Sequence, residues 1–251
     1  MTHLVPFRPN LWLTELQLAQ FEVRGAVLIG TERAVVWDTL SHQRDMAAVA
    51  QLVAGHWHAV VYSHADWDHC WGTAGLSERQ IVIGHSHCRL RFETDVPQTL
   101  RAKQSDEPGA WNEIELIPPA QMVQEFLSLD LGGVTLELHH LPGHTLDCLV
   151  AFIPEWGLLL AGDTVETPLP VVNTDSPMQE WLAELQRWVD DPRVQTVVPS
   201  HGAVGGREII QHNIDYLQSL LYGAPTALLQ ELSPFYYETH EANLRNVRVR
   251  S

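Results

Sequence analysis

Basic residues are scarce in this chain: 15 Lys and Arg stand against 31 Asp and Glu, a formal charge of −16. No run of Lys and Arg is long enough to make a polyanion-binding patch, so nucleic acid is not an expected partner. Cysteine is rare as well. Cys70, Cys88 and Cys148 are odd in number and show no paired spacing, which argues against a disulfide framework. Missing too is any uninterrupted apolar run able to span a bilayer, and Met1 to Asn10 lacks a basic region followed by an apolar core. The expectation is a soluble cytoplasmic protein with no membrane partner. Low-complexity tracts and short-period repeats are absent.

What remains is enough for a full core. At 251 residues and 45% hydrophobic content, one domain over residues 1–251 is the economical reading. Alternating strand and helix patterns point to an α/β class. Strands are expected near Phe21 to Ile29, Ala34 to Trp37, Ala59 to Tyr62, Gln80 to Gly84, Val134 to Leu141, Cys148 to Ile153, Leu158 to Ala161 and Val194 to Val198. Helices are expected near His42 to Ala54, Ser86 to Lys103, Met178 to Asp190 and Arg207 to Leu221, with Ser176 as an N-cap before Pro177.

Four of these strands end in the same way, at a Gly or Pro breaker or a polar turn that carries His or Asp. Ala59-Val60-Val61-Tyr62 leads into Ser63-His64-Ala65-Asp66-Trp67-Asp68-His69. Pro142-Gly143-His144-Thr145, Gly162-Asp163-Thr164 and Pro199-Ser200-His201-Gly202 follow the other three. Together they offer His64, Asp66, Asp68, His69, His144, Asp163 and His201. Seven N or O ligands exceed what one four-coordinate ion uses, so two metals are the natural reading.

In that order, His-x-Asp-x-Asp-His, Pro-Gly-His-Thr, Gly-Asp-Thr and Ser-His-Gly resemble the metallo-β-lactamase superfamily over about Asn10 to His201. The resemblance implies an αββα sandwich, two mixed β-sheets face to face with helices outside, the halves meeting near Glu113 to Glu125. It assigns His64, Asp66 and His144 to a first metal, Asp68, His69 and His201 to a second, and Asp163 to a bridge between them. It also gives Asp38 a supporting role through hydrogen bonds to the metal loop.

One position departs from the pattern: most members have His where this chain has Asp66. Two divalent ions would then meet three carboxylates instead of two. An added hard anion lowers the Lewis acidity of the first metal and raises its tolerance for Fe or Mn relative to Zn. Zinc remains the first expectation. In the competing placement Asp66 points away and only the second metal is held firmly.

Several neighbours tempt without being assigned ligation. His139 and His140 adjoin the third motif, but strand side chains alternate and Pro-Gly-His-Thr already supplies an imidazole. His85 and His87 read as capping or surface residues, and Cys70 as an inert buried thiol. Trp67 and Trp71 read as walls that exclude water, and Glu93 to Glu107 as a solvated helix and loop at the pocket rim.

The resemblance implies a dinuclear metal-dependent hydrolase that uses a metal-bound hydroxide on an ester, thioester or lactone-type small molecule, with Asp68 orienting the nucleophile. The competing expectation, from the carboxylate at Asp66, is a diiron redox protein acting on a small diatomic or sulfur species with a separate electron donor. A β-lactamase proper is not expected, since no export signal is evident.

Overall fold

The computed structural model describes residues 2–76, 81–223 and 232–248. Among these residues twelve strands form two sheets. The first has the order β1-β2-β3-β4-β5-β6-β7, built from β1 (His3–Arg8), β2 (Leu11–Gln17), β3 (Glu22–Ile29), β4 (Ala34–Trp37), β5 (His58–Val61), β6 (Ile81–His85) and β7 (Gln121–Val123). It is antiparallel from β1 to β4 and parallel from β4 to β7. The second has the order β12-β11-β10-β9-β8, from β8 (Phe126–Asp130), β9 (Thr135–His140), β10 (Leu149–Ile153), β11 (Leu158–Gly162) and β12 (Thr196–Pro199). Only its β11 and β12 pair in parallel.

The central strands are apolar throughout because both of their faces are covered. The two-residue period sorts their side chains between layers. Val35 and Trp37 of β4 enter the core shared by the sheets, while Val36 packs outward under the helices. Leu158 and Leu160 of β11 likewise enter the shared core, and Leu159 and Ala161 face the opposite helical layer. The result is the αββα sandwich, with the sheets changing over between β7 and β8, inside the predicted junction.

On the outer face of the first sheet lie α1 (Ala47–Leu52), the single turn α2 (Trp67–Cys70), α3 (Ser86–Arg91) and α4 (Val96–Asp106). The second sheet is covered by α5 (Met178–Asp190), α6 (Arg207–Tyr222) and α7 (Pro234–Arg248). Met178, Trp181, Leu185 and Trp188 of α5 form one buried stripe. Replacing the fully buried Trp181 with Ala would cost about 3–5 kcal/mol.

Three expectations are refined. The helix from His42 begins as a 3-10 turn at Gln43–Met46 before α1. The helix over Ser86 to Lys103 is two helices, because Pro97 lacks the N–H needed to continue one and instead sits in the first turn of α4. Ser176 does not cap α5; Pro177 holds the N-cap position, and the Ser176 hydroxyl accepts from Asn173 N and donates to the His144 carbonyl. Gln80, the expected start of β6, lies outside the described residues. The strands β1, β2, β7 and β8 and the helix α7 add to the predicted set.

The chain's polar strand ends gather at one edge of the sandwich. Asp38 follows β4, Ser63 and His64 follow β5, His144 lies beyond β9, Asp163 follows β11 and His201 lies beyond β12. Open α/β sheets bind ligands at the carboxyl ends of their strands.

Candidate metal centre

Glycine shapes the loops that deliver His144 and Asp163. A Cβ on Gly143 would stand 2.7 Å from the Trp181 indole, so only glycine lets the chain pass over α5 to deliver His144. Gly162 has φ +56, passes close to Ser63 and turns the end of β11 so that Asp163 faces the histidines. After β5 the chain bends at Ser63 and Ala65, Asp66 is extended as the N-cap residue of α2, and Asp68 and His69 then fall on its turn.

All four histidines are held by Nδ1. His69 Nδ1 donates to Asp38 Oδ2 at 2.9 Å, His144 Nδ1 to the Val171 carbonyl at 3.0 Å and His201 Nδ1 to the Glu22 carbonyl at 2.6 Å. His64 Nδ1 lies 3.0 Å from Ser63 Oγ, whose own proton goes to Asp38 Oδ2 at 2.7 Å, so the hydroxyl accepts from the imidazole. Each Nδ1 therefore carries its proton, and each Nε2 lone pair turns inward. Asp38 organises this: it is fully buried, it takes Ser63 N on Oδ1 at 2.7 Å, and it has φ +58. Its expected supporting role corresponds to these contacts.

The inward atoms make three overlapping groups, each with ligand atoms within 4.8 Å of one another: His64, Asp66 and His144; Asp68, His69 and His201; His64, His69 and Asp163. Asp163 stands in the middle, with Oδ1 3.3 Å from His69 Nε2, and Oδ2 3.3 Å from His201 Nε2 and 3.7 Å from His64 Nε2. All seven predicted residues are thus brought together. His139 and His140 stay away from them: His139 packs on Phe126 and Trp188, and His140 stacks on His85 at 3.8 Å. His85 caps α3 by accepting from His87 N, and Cys70, Cys88 and Cys148 are free, buried thiols.

Among the described residues, His64 Nε2, His69 Nε2 and Asp163 Oδ1 are buried with no hydrogen-bond partner. An unmatched buried polar atom costs about 1–3 kcal/mol, and these three adjoin one another. Their alternation of imidazole lone pairs and carboxylate oxygens fits a divalent cation. The field around them also favours positive charge. Burial opposes an imidazolium at His69, yet Asp163 and Asp68 outweigh it and hold the group well above the usual range. Burial likewise works against His201, and Asp163 carries it to about 9. Burial pushes the Glu166 carboxyl up, Asp163 adds to this, and the group reaches about 7.

Asp66 does not point away. Its Oδ2 lies 3.2 Å from His144 Nε2 and 3.6 Å from His64 Nε2. Its other oxygen, Oδ1, accepts from Arg91 Nη2 at 2.6 Å. Burial disfavours the Asp66 carboxylate, but Arg91 and then His64 hold it well below the ordinary range. Sequence reasoning missed Arg91, which sits in a segment without a motif, and Asp147 and Glu166, which lie two residues beyond the His144 and Asp163 motifs.

A cavity of about 180 Å³ opens on this cluster and has aromatic walls at Phe21, Trp67, Phe235 and Tyr236. Phe21 stacks on Phe235 at 5.4 Å and meets the His201 ring edge-on at 5.2 Å. A second cavity, of about 610 Å³, shares Asp66, Trp67 and Asn173 with the first and has Arg91, Thr94 and Thr99 on its wall. No helix among the described residues is long and apolar enough to cross a membrane.

Comparison with known proteins agrees with this geometry. The model of the Metallo-beta-lactamase superfamily matches residues 24–201, which include every residue of the cluster. A metallo-beta-lactamase type 2 of Bacillus sp. (strain 170) is 25% identical over 223 residues, covering 83% of this chain and 79% of its own length. One from Bacteroides fragilis is 26% identical over 188 residues, 72% of this chain and 64% of its own. Among solved structures, a metallo-beta-lactamase from Pontibacter korlensis superposes with a TM-score of 0.70 at 19% identity, over 87% of this chain and 99% of that one. One from Hirschia baltica gives 0.64 at 18% identity, over 86% and 97%. A sandwich of this topology, its polar cluster at the carboxyl edge and a family match running from Arg24 to His201 place the chain in the metallo-beta-lactamase superfamily, as a metal-dependent hydrolase.

Proposed function

We propose that the seven clustered residues hold two divalent cations, zinc in the first instance, and that the protein hydrolyses small esters, thioesters or lactones. His64, Asp66 and His144 would hold the first, Asp68, His69 and His201 the second, with Asp163 between. The observation that carries this reading is the set of buried, unmatched atoms on His64, His69 and Asp163, which proton-bearing protein groups leave unsatisfied.

Two cations so placed would lower the pKa of a water towards neutrality and polarise a scissile carbonyl. The chain's own groups do the rest. Asp68 presents Oδ2 3.6 Å from His201 Nε2 and 3.8 Å from His69 Nε2, where it can take the proton of the attacking water and direct its oxygen. Asp163 fixes the spacing of the histidines on both sides. Phe21, Phe235 and Tyr236 exclude water and offer an apolar wall to the substrate's non-reacting portion. Both sheets contribute to the site, which supports reading residues 1–251 as one domain.

The test joins elemental analysis to a panel of ester, thioester, lactone and phosphodiester substrates. Two zinc equivalents with turnover of an uncharged ester or lactone are expected. Two equivalents of iron with visible absorbance and no hydrolysis would replace this reading with a redox one.

A further inference from the structure

Among the described residues, Arg91 is the one cation bonded to the Asp66 carboxylate beside the proposed first metal position, and no sequence motif marks it. Its fork is fully engaged. Nη2 donates to Asp66 Oδ1 at 2.6 Å, Nη1 to Asp147 Oδ1 at 3.0 Å and Nε to Asp95 Oδ2 at 3.0 Å. Asp95 is half in solvent, whereas Asp147 is fully buried and takes the Ala65 backbone N–H on Oδ2 at 2.8 Å. A closed ring results: Ala65 N to Asp147, Asp147 to Arg91, Arg91 to Asp66, and Asp66 back along the chain to Ala65. The guanidinium is thus braced against the backbone one residue before the carboxylate it holds.

We infer that Arg91 is a positioning residue that makes Asp66 act as a stand-in for an imidazole. A free carboxylate can offer a metal both oxygens and a full negative charge. An imidazole offers one lone pair and none. Arg91 occupies Oδ1, leaves Oδ2 alone facing His64 and His144, and draws part of the charge away. The carboxylate at this position then confers less preference for oxygen-seeking ions than its charge suggests, and the first position keeps a zinc-like character. This deepens the proposed function and rests on it.

The experiment measures Zn²⁺ and Mn²⁺ affinity at each position of the full-length protein by chelator competition, for wild type, Arg91→Met, Asp66→His and the double variant. In Arg91→Met, Asp66 is released to chelate with both oxygens, and the Mn-to-Zn affinity ratio at the first position should rise on the order of tenfold. In the Asp66→His background the Arg91 substitution should leave that ratio unchanged. Loss of Arg91 also strands Asp147, so Arg91→Gln, neutral but still able to donate to it, serves if the methionine variant does not fold. A merely structural role for Arg91 would weaken both ions alike in both backgrounds, and that result overturns the inference. So does an unchanged ratio in Arg91→Met and Arg91→Gln with two metals still bound, which leaves the hydrolase reading standing. Wild-type protein that binds fewer than two equivalents overturns the two-metal reading and this inference together.

Discussion

The two proposed metal positions are built by different means. The second, at Asp68, His69 and His201, is the more deeply set: all three residues are buried, His69 and His201 are fixed by a buried carboxylate and a main-chain carbonyl, and only Asp68 and His201 reach the smaller cavity. The first, at His64, Asp66 and His144, is open on one side. Asp66 is 26% exposed, borders both cavities and is steered by an arginine reached only through the tertiary fold. The difference teaches that a position can be rigid because of what lies beneath it or because of a clamp beside it.

The most severe break of this comparison is Asp163→Ala, which strips the shared carboxylate from both positions. Metal content should fall below one equivalent and kcat by roughly a thousandfold or more. Two retained equivalents would remove Asp163 from the bridge. Asp38→Asn separates the positions: affinity at the second should drop about 10–100-fold, because His69 loses its acceptor directly. The first feels the change only through Ser63, and Ser63→Ala should weaken it by less. Metal titrations of the two variants check this ordering, and equal losses at both positions would contradict it.

Smaller effects lie further out. Phe235→Ala removes a wall that leans on His201 through Phe21, and should lower kcat/KM for esters with an apolar arm about tenfold with metal content intact. An equal loss on small acetate esters would show that the wall serves packing alone. The smallest effect concerns His85, which starts the helix carrying Arg91. Burial, with His140 and His87 adding, lowers its pKa to about 4 from 6.5. Its Nε2 donates to the Gln124 carbonyl and its Nδ1 accepts from His87 N, so a second proton has no place. The unfolded chain takes that proton first as pH falls, so stability is full above about 6.5 and declines towards 4. Thermal unfolding across this window should show a shallower decline in His85→Gln, and parallel profiles would exclude His85 as the source.

The inner strands and the seven clustered residues could be read from the sequence because each depends on local pattern. Ala34 to Trp37 and Leu158 to Ala161 are apolar runs, and the His and Asp residues follow them at turn breakers. Arg91 could not be read in this way. The buried partner Asp147 and the clamped Asp66 are 56 and 25 positions away, and nothing in Ser86 to Ile117 distinguishes an arginine that clamps from one in solvent. Edge strand β1, with Pro6 and a mostly uncovered face, gives little periodic signal, and α7 is too polar to stand out. The helix split at Pro97 was marked by the proline itself.

The helix α7 is tied down by single side chains: Asn243 bonds Val172 N, the Pro170 carbonyl and Tyr216 Oη, and Asn246 the Val172 carbonyl. It brings Phe235 and Tyr236 over a cluster whose last member, His201, leaves the ribosome more than thirty residues earlier. During synthesis the metal-type residues can therefore gather before the lipophilic half of the pocket exists. The order of synthesis thus sets the polar cluster before two of its four aromatic walls.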